Sequence, residues 1–591
     1  GPDQELIAEG FRVAEAARVS SVQTAIANSL ARASLPDAAL ADLADSLELR
    51  EVMGGTQRIR EGEPSDSLFS LVSGRLRVSR QGKDGALLLY NEIRPGECVG
   101  ETGLILRQPR TADITAVRDS VLAVLDRPRY ETLMMRQPLA MSQAFGQAIY
   151  NQLRHADRVH GQTRARNFAV LPLHAGAPVE DFAAQLTQAL ARHGKAHHVR
   201  REIGTEHLDQ LEGTQDALVL EAEPGFTDWT RAALRQADQV VLVARSDQPV
   251  EVTEIEAAYG REPGAAWVRK HLAVVYPDAS SRAQDAALWR QGRDVERVYP
   301  VRLGVAGDFA RLARFLLGRA VGVVLGGGGA RGFAHIGVMR ALEEAEIPID
   351  LLGGNSMGAL IGAMVAFGVP REEIHTQILK FTRGAVRPSV PVVSILSNVP
   401  YMNALRHAFG DTTVESLWLP YFASACNLSQ ARTVVLDHGP LWRAVLASNS
   451  PAGLLPPVLH DGDLLVDGAI LENVPVSAMR TRLGPALERR RGHGTVIAID
   501  VDVRENLCAP NGLCEMRAGD VLKSKLSRSM QSLPGIVDIL MQAGHIGGLA
   551  QRGRTVSLAD YYLEPPVNQF PMMGYKNAEE IIEVGYRYAC E

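Results

Sequence analysis

The order of hydrophobic and polar positions changes character several times along the chain. Residues 3 to 50 are rich in Ala and Leu at helical spacing, with a break at Pro36. From about Glu51 to Leu125 short segments alternate instead: Leu76 and Val78 fall between Arg75, Arg77 and Ser79, and turn signals such as GKDG recur. That pattern predicts a small antiparallel β-roll. A helical stretch over 129–160 leads out of it. Between 165 and 318 apolar runs such as NFAVLPL, DALVLEA, QVVLVAR and HLAVVYP are separated by helical spacing, which predicts a strand–helix–strand domain. From Ala320 a second such series begins with AVGVVLGGGG and continues through PIDLLGGNSMGALIGAMVA and GTVIAIDVDV. The reading is a multidomain α/β plus β protein. It divides into an N-terminal helical segment (1–34), the β-roll with its exit helices (35–160), a middle α/β scaffold domain (161–318) and a C-terminal α/β domain (319–591).

Bulk numbers narrow the partners. A chain of 591 residues is too long for one core and suggests about three to five domains. Its 46% hydrophobic and 22% charged content is that of a soluble protein, and a net charge of −6 gives no reason to expect nucleic acid. Five cysteines are too few for a disulfide framework and read as free thiols of a reducing, cytoplasmic setting. Cys508 and Cys514 lie close together, but no second Cys/His pair accompanies them, so no metal is expected. The opening Gly1-Pro2 reads as a protease scar, with the native start and any targeting segment expected to be missing. No uninterrupted apolar run reaches the length of a membrane span. In 534–549, Ile536, Ile539, Leu540, Ala543 and Ile546 recur at helical spacing. This is read first as a core-facing helix, with peripheral membrane contact as the alternative.

The chemistry concentrates after Ala320. Gly327, Gly329 and Gly332 fit a dinucleotide-binding turn, with Asp350 as its acidic ribose contact, but that spacing alone is weak. Downstream, Gly354-Asn355-Ser356-Met357-Gly358 is G-x-S-x-G between an apolar strand and an apolar helix. Small neighbours permit a sharp turn that exposes the serine hydroxyl. Such a serine needs a base, and it needs amide donors for an oxyanion. The N–H groups of Gly327, Gly328 and Gly329 are candidates for the donors, with Arg331 bracing the loop or meeting an anionic group. Asp467, after an apolar run and before Gly468-Ala469, is a candidate base. These segments resemble the patatin-like phospholipases, whose signatures G-G-G-x-R-G, G-x-S-x-G and D-G-[GA] occur here in the same order at 327–332, 354–358 and 467–469. VLASNSPAGLLPPV (445–458) is similar to that family too, and the resemblance covers about residues 320–575. It implies a Ser356–Asp467 dyad without histidine or required cofactor. The rival is a Ser–acid–His triad using His493, whose setting RRRGHGTV reads as a solvated loop.

A second resemblance lies upstream. GECVGETGLILRQPRTADITA is similar to the phosphate-binding cassette of cyclic nucleotide-binding domains, with Gly100-Glu101 and Arg110-Thr111-Ala112 at matching positions. It implies that Glu101 accepts a ribose hydroxyl and that Arg110 forks onto a cyclic phosphate. Thr111 hints at a guanine base, so cyclic AMP or cyclic GMP would be a regulator. A cyclic nucleotide module ahead of a patatin-like domain resembles the neuropathy target esterase group and its bacterial relatives. That resemblance implies a serine esterase acting on lysophospholipids or phospholipids, with self-association open. The alternative from another class is a nucleotide-sensing scaffold with a vestigial hydrolase domain.

Overall fold

The alternating segment between Glu48 and Asp126 folds as two four-stranded antiparallel sheets. The computed structural model describes residues 36–81, 87–93, 95–146, 167–201, 214–262, 268–277, 286–382, 387–484, 494–503 and 536–591. It also describes short or single positions at 208, 211–212, 264–266, 283, 515, 517 and 519. The N-terminal helical segment read at 1–34, the Cys508–Cys514 pair and His493 lie outside these residues. The chain forms two compact units, one built mostly from residues before Leu316 and one mostly from Leu317 onward.

In the first unit, β1 (Glu48–Val52), β2 (Gln57–Ile59), β3 (Ser67–Ser73), β4 (Leu76–Gln81), β5 (Leu87–Ile93), β6 (Cys98–Val99), β7 (Asp113–Ala116) and β8 (Ser120–Asp126) pair in the orders β1-β8-β3-β6 and β2-β7-β4-β5. Leu71, Leu76 and Leu122 fill the roll, while Leu68 and Leu125 face outward onto the flanking helices. The helix that leaves it, Arg127–Arg136, is capped by Asp126, whose side chain accepts from the N–H of Arg129, and Pro128 stands in its first turn. It does not run to 160 as one piece. Gln137 leaves helical geometry ahead of Pro138, and a new helical run covers 138–146. Proline disfavours the helical conformation of its predecessor and brings no N–H to the ladder, so the helix ends there.

The middle domain holds six parallel strands, β9 (Asn167–Pro172), β10 (Ala196–Val199), β11 (Ala217–Glu221), β12 (Gln239–Arg245), β13 (Arg269–Tyr276) and β14 (Arg297–Arg302), in the order β10-β11-β9-β12-β13-β14. β9 and β12 are buried almost throughout, which is why their sequences read as continuous apolar runs. The loop after β7 docks here. Arg118 donates to both carboxylate oxygens of Glu212 at 2.7 and 3.1 Å, and it shares the fully buried Asp238 with Arg75.

The second unit is an eight-stranded mixed sheet. β15 (Val321–Leu325) lies parallel to β16 (Leu351–Gly354) on one side and to β19 (Thr495–Ile499) on the other. β17 (Tyr421–Asn427) continues the sheet beyond β16, and β18 (Asp463–Asp467) runs antiparallel to it. Gly354 pairs with Ala423, and Asp467 pairs with Ala425 two residues further along β17. That register delivers Asp467 beside the turn that follows β16. The apolar run after Ser356 becomes helix α1 (Met357–Phe367), buried on nearly all sides. A longer helix, α2 (Ile536–Leu558), packs on the turn at Gly468–Ile470.

Candidate active site

Ser356 stands where β16 turns into α1, and its backbone takes φ 51°, ψ −124°. A non-glycine residue held there stores about 1–3 kcal/mol of strain. The surroundings impose it. The Ser356 N–H donates to Ser448 Oγ at 2.9 Å, and its carbonyl accepts from Asn449 Nδ2 at 2.8 Å. A side chain at Gly354 would meet the Gly358 carbonyl at 2.6 Å, and one at Gly358 would collide with the Leu325 carbonyl. The two glycines of G-x-S-x-G are therefore required by close backbone approach.

Asp467 is buried and faces the serine. Burial pushes its carboxyl above the usual aspartate range. The Ala469 N–H, the Ser356 hydroxyl, the charge of His545 and the Asn355 amide oppose that rise. Asn355, the variable residue of the serine motif, ties the parts together. Its Nδ2 donates to Asp467 Oδ1 at 3.0 Å, while its Oδ1 accepts from the Gly468 N–H at 3.0 Å and from Ser448 at 3.3 Å. Gly468 admits that amide, because a Cβ there would lie 2.5 Å from Asn355 Oδ1.

The glycine loop passes alongside, and a Cβ on Gly327 would lie 3.0 Å from that of Ser356. One expectation needs correction here. The Gly327 N–H donates to Asn473 Oδ1 at 3.2 Å, and the Gly327 carbonyl accepts from Asn473 Nδ2 at 3.0 Å. The amide of Gly327 is thus occupied, which leaves the amides of Gly328 and Gly329 as the candidates. Among the described residues no hydrogen bond engages these two. Arg331 is buried and braces the loop, donating from Nε to the Phe570 carbonyl at 2.7 Å. Gly332 packs against Met357. Asp350 does not face the loop. It accepts from the Val321 N–H at 2.9 Å, at the opposite end of β15, so no ribose contact is built there.

Sequence reasoning passed over Asn355, Ser448, Asn449, Asn473 and His545. Asn355 and Asn473 lie within or just past the quoted motifs, and two buried amides next to two glycine turns were the available signal. His545 sits on α2, where only apolar spacing had been noted. Its ring Nδ1 lies 3.0 Å from Asp502 Oδ2.

In the roll, Glu101 is buried and opens a short helix, and Gly100 takes φ 86°. A side chain at Gly100 would collide with the Arg110 guanidinium. Arg110 donates from Nη2 to the Ser67 carbonyl at 2.6 Å and lies over the Phe69 ring at 5.5 Å. Thr111 is exposed beside it and Ala112 half-buried.

An α/β sheet carrying a strained serine elbow, a buried aspartate and a glycine loop, together with a separate β-roll, defines the class of protein. Comparison with known families agrees with it. Residues 323–480 match patatin-like phospholipase, residues 49–137 the cyclic nucleotide-binding domain, and residues 164–299 the P-loop like domain of the neuropathy target esterase family. The chain carries a patatin-like phospholipase domain with a cyclic nucleotide-binding domain N-terminal to it. It is 27% identical to lysophospholipase nte1 of Emericella nidulans over 92% of this chain and 42% of that one. Against patatin-like phospholipase domain-containing protein 6 of Homo sapiens the identity is 28%, over 92% and 44%. With neuropathy target esterase sws of Drosophila melanogaster it is 27%, over 89% and 41%. The chain thus spans less than half the length of these curated relatives. In the P-loop like stretch no G-x-x-x-x-G-K-[ST] loop occurs, and LHAGAP joins β9 to the next helix. The cations near that turn are paired, Arg245 with Asp247 and Arg293 with Glu256.

Proposed function

We propose that the protein is a serine carboxylic ester hydrolase of the lysophospholipase type. Ser356 acts as nucleophile, Asp467 as general base, and the Gly328 and Gly329 amides hold the oxyanion. The observation that carries this reading is the strained Ser356 elbow facing a buried carboxyl beside two glycine amides that no described residue engages. Asp467 takes the hydroxyl proton as Oγ attacks the acyl carbon, and it returns that proton to the departing alcohol. Water deprotonated by Asp467 then cleaves the acyl-enzyme and releases the fatty acid. No group beyond these residues is needed for either half-reaction. The names of the relatives support a lysophospholipid as substrate.

Two finer points belong to the same reading, with the domain limits given above. The roll takes a cyclic nucleotide through Glu101 and Arg110 and regulates turnover. The hydrolase domain works peripherally on a membrane surface from the cytoplasmic side. No helix among the described residues is long and apolar enough to cross a membrane. On α2, however, Ile536, Ile539 and Ile546 are 64%, 43% and 60% exposed, against the core-facing expectation. Leu540 alone of that set lies against Gly453. Fluorophosphonate labelling tests the chemistry: one adduct on Ser356 is expected, together with fatty acid released from a lysophospholipid. A chain that neither labels nor hydrolyses would refute the reading.

A further inference from the structure

Helix α2 touches both halves of the site. Gly547 and Gly548 sit directly on the turn that follows Asp467: a Cβ at Gly548 would lie 2.8 Å from the Ala469 carbonyl, and one at Gly547 would collide with that of Ile470. Two or three residues earlier, His545 is buried with its Nδ1 3.0 Å from Asp502 Oδ2. Asp502 follows β19, in the segment whose Val501 carbonyl packs against Gly328. The ring therefore lies between the segment that supports the glycine loop and the turn that carries Asp467.

We propose that His545, held by Asp502, is a positioning residue for the Ser356–Asp467 pair, its ring set on the helix that packs against the turn after Asp467. This rests on the esterase reading above and adds to it a residue that does not touch the reacting atoms. The charges around the ring support it. Asp502 bonds to it and the charge of Asp467 also favours its protonation, while Arg331 of the glycine loop opposes it. Among the described residues, the other charged groups on the elements around it are engaged elsewhere. Asp500 accepts from the Tyr562 hydroxyl and pairs with Arg552, Arg552 also reaches Glu564, Glu472 holds Ser477, and Arg480 holds Asp560. Burial alone would discharge the imidazole; its bond to Asp502 and the two carboxylate charges outweigh that, so it stands above the ordinary histidine value. Burial raises a base sealed from water, and a cation nearby lowers it again, which widens the pH range over which it accepts a proton.

The test compares kcat/KM against pH for a soluble short-chain p-nitrophenyl ester in the wild type and His545→Gln, with Ser356→Ala as blank and fluorophosphonate labelling alongside. Glutamine is neutral at every pH and can still hydrogen-bond to Asp502. The acidic limb should move up by about one pH unit with KM nearly unchanged. The curves should draw together at alkaline pH, where the wild-type ring is neutral too. A merely structural role would lower the whole curve and leave the limb in place, and that result overturns the proposal. Should His545→Gln not fold, the reciprocal measurement keeps residue 545 intact. Asp467→Asn should lower the midpoint of one histidine in a ring-labelled NMR titration, and no shift in any histidine overturns the proposal equally. A wild type inert to both ester and probe removes the esterase reading and this inference with it; labelling with an unmoved limb removes this inference alone.

Discussion

At the scale of single residues, the site divides into groups that react and groups that hold them. Ser356→Ala removes one hydroxyl from a backbone clamped by Ser448 and Asn449, so hydrolysis should vanish while thermal unfolding changes little. Asp467→Asn cannot take a proton and should lower kcat by about 10²–10⁴-fold in a steady-state assay. Asn355→Ala is more informative. It takes a donor from Asp467 and an acceptor from the Gly468 N–H, and kcat should fall roughly tenfold to a hundredfold with KM little altered. Because burial raises the Asp467 carboxyl above its ordinary 3.8, wild-type kcat/KM should fall on acidification with a midpoint above that value. Much of this was legible in the chain, since glycine spacing around a serine encodes a local turn. The Asn355–Asp467–Gly468 network was not, because residues 112 and 113 positions apart are joined only by the register of β16, β17 and β18.

At the scale of elements, the helix after the glycine loop, Phe333–Glu344, shows how packing fixes a charge state. His335 lies in it fully buried, with Nε2 2.8 Å from the Gly326 carbonyl. Burial draws its imidazole down from 6.5 to about 4. The folded state excludes a proton that the unfolded chain binds below pH 6.5. Its contribution is therefore complete above that pH and is lost as pH falls toward 4, by ~3 kcal/mol. Thermal unfolding followed from pH 7 to 4 should show this loss, and His335→Gln should flatten it. Helix α2 teaches the opposite lesson about legibility. Its apolar spacing was visible, but periodicity marks an apolar face without saying what covers it, and Ile536, Ile539 and Ile546 turned out exposed. Replacing Ile539 and Leu540 with Asp should weaken flotation with lysophospholipid-containing liposomes, and unchanged flotation would dismiss α2 as a membrane contact.

At the scale of the molecule, two recognisable modules share one chain. Arg110 occupies its guanidinium with the Ser67 and Gly100 carbonyls, so a cyclic phosphate has to draw it away from them. Arg110→Ala should weaken cyclic nucleotide binding by about 2–4 kcal/mol in calorimetry and leave turnover of a soluble ester without nucleotide unchanged. No heat with cyclic AMP or cyclic GMP on the wild type would refute the regulatory role. The succession of a roll, a parallel-sheet domain and a further α/β sheet was readable from hydrophobic texture, since period-two alternation and continuous buried runs differ in composition. The ionic junction between roll and middle domain was not, because Arg118, Glu212 and Asp238 are unremarkable singly. That junction bears on how the protein can be taken apart. A fragment ending at residue 146 would carry Arg75 and Arg118 into water without Glu212 and Asp238, and the remainder of the chain would keep Asp238 buried without its cations, the more damaging half of a broken pair. The smallest piece worth purifying for ligand studies is then the roll together with its parallel-sheet neighbour. A binding constant measured on the excised roll would describe a surface stripped of the carboxylates that hold Arg75 and Arg118.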